Sequence, residues 1–169
     1  MHARALGSLA ALLAAVSCGS GASPSAGAPF PLFPMALVTT GGNDAGEPLA
    51  ILGADGSIAI RHRSFVGHLF PDRVVGPDGR VLVAVAPNGD VSIDPHVPPA
   101  HFDARGALVS PQGDVVWVDD AGVPSWAERR GGMPALPVRF QPFSPAARRT
   151  AEVVFIVAMM VMWERGLPT

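Results

Sequence analysis

Between Met35 and Phe143 the apolar residues come in short runs, each cut by a turn that contains glycine. Ser57–Ile60 (SIAI), Val81–Val85 (VLVAV), Val91–Ile93 (VSI) and Val115–Val118 (VVWV) are rich in β-branched residues, which suit a pleated, half-buried surface. Asp55-Gly56, Asp78-Gly79, Asn88-Gly89, Gln112-Gly113 and Ala121-Gly122 lie beside these runs. Such dipeptides supply the positive φ that tight hairpins demand. Short strands at this spacing predict a mainly β domain over residues 35–143: a small antiparallel sandwich, roll or partial barrel of hairpins. The turn glycines keep no fixed period, with 23 residues from Gly56 to Gly79, ten to Gly89 and 17 to Gly106. A solenoid or propeller needs a constant one, so a meander is expected.

After Phe143 the pattern changes. Ser144-Pro145 is a helix start, a capping hydroxyl followed by proline at the first helical position. Ala146 to Arg165 contains no Gly or Pro, and Gly166 with Pro168 ends it. This predicts one helix over 144–166, with Arg148 and Glu152 at the supportive spacing of four. Val153 to Trp163 (VVFIVAMMVMW) is apolar on every face and must be buried. Eleven residues span about 16 Å of helix, roughly half a hydrocarbon core, so a membrane span is not expected. The expected place is the open face of the β-domain. Met159, Met160, Met162 and Trp163 also form a candidate partner-docking surface, since methionine adapts to irregular contacts.

The N-terminus carries a different signal. Met1-His2-Ala3-Arg4 is short and basic, Ala5 to Val16 is apolar and uncharged, and Ala15-Val16-Ser17 leads into Cys18, the one cysteine of the chain. A basic start, a short apolar core and a small-residue exit form an export signal. With cysteine at the cut site, the segment resembles a bacterial lipoprotein signal (residues 1–17). That resemblance implies acylation of Cys18, which would become the mature N-terminus, and a cell-envelope protein held at a membrane by its acyl groups. Gly19 after the cysteine favours the outer membrane. The resemblance covers only this segment and departs from the usual pattern in having Ala15 where leucine is most common. Acylation would also explain an odd cysteine in an exported chain. The segment from Cys18 to Pro34 is first a tether of Gly, Ser, Ala and Pro, then Phe30-Pro31-Leu32-Phe33-Pro34, which should dock on the domain.

Charge narrows the partners. All 12 basic residues are arginine, against 14 acids. Loss of Arg4 with the signal leaves a mature charge of about −3, with no basic patch for phosphates, so nucleic acid is not an expected partner. An envelope protein is the partner class this composition leaves open.

Candidate chemistry is sparse. Four histidines remain in the mature chain: His62 and His68 in RHRSFVGH, His96 and His101 in DPHVPPAHFD. Imidazole and carboxylate can jointly hold zinc, so Asp94, His96, His101 and Asp103 are the metal candidates. Their spacing fits no ligand motif, and surface histidines in a polar loop are the simpler reading. Trp117 and Trp126 with Phe102 could line a carbohydrate or peptide groove, although Trp117 falls in an apolar strand run that reads as core. No G-x-S-x-G, P-loop, G-x-G-x-x-G or H-E-x-x-H pattern occurs. No catalytic residue and no cofactor is assigned. The expectation is a non-catalytic binding or structural module of the envelope. The alternatives are an envelope enzyme or metal domain built on the His62/His68 and His96/His101 segments, and a protein that docks a partner through its C-terminal helix.

Overall fold

The computed structural model describes residues 30–61, 63–93, 96, 98–127 and 137–163. The signal, Cys18 and most of the tether lie outside them, as do His62 and Asp94. Twelve antiparallel strands form one sheet: β1 (Met35–Thr39), β2 (Pro48–Leu52), β3 (Ser57–Ile60), β4 (Arg63–Phe70), β5 (Arg73–Val75), β6 (Val81–Val85), β7 (Asp90–Ser92), β8 (Ala100–Phe102), β9 (Leu108–Val109), β10 (Val115–Val118), β11 (Pro124–Ala127) and β12 (Val138–Gln141). Helix α1 follows at Arg148–Trp163. From β1 to β11 each strand pairs with its neighbour in sequence, and β12 returns to pair with β1. The sheet is a meander that curls into a nearly closed barrel.

Six hairpins share one turn, and it explains the glycines. In the five residues 53–57, 76–80, 86–90, 103–107, 110–114 and 119–123, the first N–H donates to the fifth C=O. The glycine in fourth place donates back to the first C=O. Those glycines hold φ between 80° and 89°, the left-handed region that closes a three-residue loop with a bulge. The turns are therefore one residue longer than the tight two-residue hairpins that the dipeptides suggest.

Where the turn is exposed, only the backbone conformation argues for glycine. A Cβ on Gly79 would meet nothing within 4 Å. On Gly122 it would lie 2.9 Å from Phe143 Cβ and 3.0 Å from the Phe140 carbonyl. Phe140 N–H donates to Gly122 C=O at 2.8 Å, tying β12 to the β10–β11 turn where the ends of the sheet meet. Gly79→Ala should cost about 1–2 kcal/mol, the penalty of a left-handed alanine. Gly122→Ala should cost about 1–3 kcal/mol more, because the closing strand must also shift. Paired urea melts check the order.

The helix does not lie on an open face. Ala151 to Met159 is a run of nine buried residues, two and a half turns with no exposed side. The helix touches β2, β6 and β10, which stand four strands apart around the sheet. It therefore runs through the lumen, and the sheet wraps it. Closed sheets of about eleven strands or more are wide enough to house a helix. The wall meets it with fully buried side chains such as Leu37, Leu52, Val74, Val83, Val91 and Phe140. Apolar groups on all sides of α1 are answered by apolar groups on all sides of the barrel.

The start of the helix also differs in detail from expectation. Pro145–Ala147 is one 3-10 turn, and Ser144 precedes it in extended conformation without a side-chain capping bond. Ala147 N–H is satisfied by the Ser144 carbonyl instead. Among the described residues no helix is long and apolar enough to cross a membrane.

Strand direction sorts the connections into two mouths. The turns after β2, β4, β6, β8 and β10 lie at the mouth where α1 enters, here the near mouth; the others lie at the far mouth. Phe30–Pro34 crosses the near mouth, held by Phe30 N–H on the Pro71 carbonyl at 2.8 Å. Thr150 Oγ1 donates to the Pro31 carbonyl at 2.9 Å. Phe30 is buried, so the expected docking of this segment is realised.

Candidate functional site

The near mouth is where buried polar groups gather. Strand β9 pairs with β10 only at Val109–Val115 and Leu108–Val116, because the chain before Leu108 curls through the Asp103–Ala107 turn. Val118 lies beyond that ladder, and its N–H and C=O face this same side of β10, because on the other side the neighbouring Asp119 is the residue bonded across to Val123. Two helix side chains serve its backbone instead. Arg148 Nε–H donates to the Val118 carbonyl at 2.7 Å, and Glu152 Oε1 accepts the Val118 N–H at 3.3 Å. Spaced by four, they project from one helix face and reach both polar groups of a single residue. The pair that looks like surface helix support in the sequence acts as a substitute strand.

Other groups brace this contact. Arg148 also pairs with the exposed Asp120 carboxylate. Its guanidinium lies 4.2 Å from the centre of the Trp117 ring. Trp117 is half-buried on the side of β10 opposite the inward Val116 and Val118, so it is not a core residue. Arg149 lies over Phe102 at 4.9 Å, with burial lowering its pKa and Glu152 opposing that shift. Glu152 itself is fully buried. Burial pushes its pKa up to about 8, against the Val118 N–H bond and the charge of Arg148. Its Oε2 has no hydrogen-bond partner among the described residues.

The residues singled out by sequence fall elsewhere. His68 is on β4, half-buried, with its ring 4.9 Å from Phe70. His101 is exposed on β8, opposite Asp90. Four strand spacings separate β4 from β8, roughly 19 Å along the wall. The two histidine segments do not bring His68 and His101 to a shared centre. His96 is exposed in the far-mouth connection before β8, while Asp103 opens the near-mouth turn after it. Asp103 is engaged by its own turn: its Oδ1 accepts the N–H groups of Arg105 and Ala107, each at 2.9 Å. Burial alone would raise its pKa, but these bonds and the Arg105 charge hold it below the usual value. Among the described residues no three His, Cys, Asp or Glu side chains gather as a metal group.

The helix methionines are also relocated. Met159 is buried in the lumen and meets no partner while the barrel is intact, which corrects its place in the candidate docking surface. Met160 and Met162 are half-buried against the core at the far mouth, and the side chain of Trp163 lies outside the described residues. Trp126 packs against the core on β11 and is half-buried. On the outer wall, Glu47, Leu49, Ile51, Ala59 and Arg61 line a hollow of about 310 Å3. Ile51 is 44% exposed there.

No family model, no curated protein and no solved structure matches the chain. The functional reading therefore rests on the geometry of the described residues and on the N-terminal signal. Sequence reasoning missed Glu152 as a site residue, although a signal was present: it is an acid set directly before the apolar run Val153–Trp163.

Proposed function

We propose that the protein is a lipid-anchored module of the cell envelope that binds or supports other envelope components without catalysing a reaction. The observation that carries the non-catalytic part is the filled lumen. The interior, which in wide barrels can hold a ligand, is occupied by the chain's own helix over Ala151–Met159. That leaves the outer wall and the mouths for interaction, and the hollow beside Ile51 is one shaped feature there. The anchor rests on the signal that ends at Cys18. Phe30 is fixed at the near mouth. The twelve residues from Cys18 to Pro29 would then tether that mouth within about 40 Å of the lipid.

The intact mass of the mature protein from native membranes tests the reading beside a Cys18→Ala control. The expected mass is that of residues 18–169 plus a diacylglycerol and an acyl group. The control should leave the membrane fraction. An unmodified cysteine in a soluble wild-type protein would remove the anchor from the proposal.

A further inference from the structure

A carboxyl taken out of water is costly unless both oxygens are satisfied or it keeps its proton. Glu152 meets half of that demand. Oε1 takes the Val118 N–H, while Oε2 has no hydrogen-bond partner among the described residues. The charged groups acting on it are Arg148 and Arg149 from its own helix and Asp103 from the β8–β9 turn. Arg148 is engaged with the Val118 carbonyl and Asp120, Asp103 with its own turn and Arg105, and Arg149 lies over Phe102. The strands packed most closely on the helix, β2, β6 and β10, contain no ionisable residue, and β8, which Arg149 meets at Phe102, carries its one titratable residue, His101, exposed on the outer side.

We propose that Arg148 and Glu152 form a proton-dependent latch at the near mouth: protonated Glu152 keeps the first turns of α1 docked on Val118, and loss of the proton releases them. In the protonated acid Oε1 acts as the carbonyl oxygen for Val118 N–H and the proton sits on Oε2, so no charge faces the apolar lumen. Ionisation places charge on an oxygen that lacks a donor. The charge is relieved when water enters, and water enters when the first turn moves off β10. The Val118 N–H and C=O then open together, and Thr150 draws away from Pro31. Burial sets the transition close to neutral pH, with the Glu152 pKa at about 8.

Hydrogen exchange of the Val118 amide tests the latch, read as protection relative to an unstructured chain so that hydroxide catalysis cancels. Between about pH 5 and pH 8 the wild-type protection should fall several-fold per pH unit, approaching tenfold, and level off above pH 8. In Glu152→Gln, which keeps an acceptor and loses the titration, it should stay level. The Val83 amide, at the middle of β6, serves as the internal reference. Flat protection at Val118 in the wild type, or the same fall in the variant, overturns the proposal. Should the variant fail to fold, the 13C titration of the Glu152 carboxyl in the wild-type protein decides. A midpoint near 8 supports the latch, and one in the ordinary carboxylate range sinks it.

Discussion

A chain that stops at Ser144 will not fold. Val153, Val154, Phe155, Ile156, Val157 and Met159 are all buried in the lumen. At about 1.5–3 kcal/mol for each large apolar side chain, the six together contribute roughly 9–18 kcal/mol. The whole stability of a domain is typically about 5–15 kcal/mol. Truncation also leaves the inner faces of the strands around an apolar void, and no single wall residue can close it. The expected result is loss of the cooperative urea transition and of near-ultraviolet circular dichroism. A detachable docking helix makes the opposite prediction, a folded remainder that sheds its tendency to associate. A cooperative transition in the truncated chain would refute the helix as the core of the barrel.

Stability should also depend on pH through Glu152, and in the direction opposite to most carboxylates. The folded-state pKa is raised by burial from the ordinary 4.5 to about 8. Below the lower value both folded and unfolded chains hold the proton, and the contribution to stability is complete. As pH rises toward 8 the unfolded chain releases the proton and the folded chain keeps it, so stability falls. Each pH unit in that window is worth about 1.4 kcal/mol, which makes the whole loss about 4–5 kcal/mol. Glu152→Gln removes this one titration and leaves the others in place. The difference in unfolding free energy between variant and wild type should therefore grow in favour of Gln from pH 5 to pH 9. Urea melts at three pH values measure it, and a constant difference would show an ordinary carboxyl.

The two effects share a cause. Wrapping a sheet around a helix excludes water from every face of that helix, so the apolar run gains the most and its one acid is placed at the greatest disadvantage. Arg148 offsets part of that cost by bringing the Val118 carbonyl and Asp120 into one contact at the mouth. The same contact repairs a gap in the sheet, where β9 is too short to serve Val118.

Much of this was legible along the chain because it depends on neighbours in sequence. The β-branched runs, the positive-φ glycines at 56, 79, 89, 113 and 122, and the helix between Ser144 and Gly166 follow from local sterics and periodicity. So does the requirement that Val153–Trp163 be buried. What buries it was not legible, since an apolar helix suits a sheet face, a partner or a lumen equally well. That choice was made by the return of β12 to β1, which joins residues about a hundred positions apart and brings the curling meander round into a nearly closed barrel. Closure also settled the roles of particular side chains. Trp117 left the core because its neighbours Val116 and Val118 took the inward face, and Met159 entered it because the ring surrounds the helix. Short-range backbone preferences were enough to specify the elements and their turns. That the helix is the axis of the barrel, with Glu152 as its buried acid, followed from the closed wall, because enclosure belongs to the ring and to no segment within it.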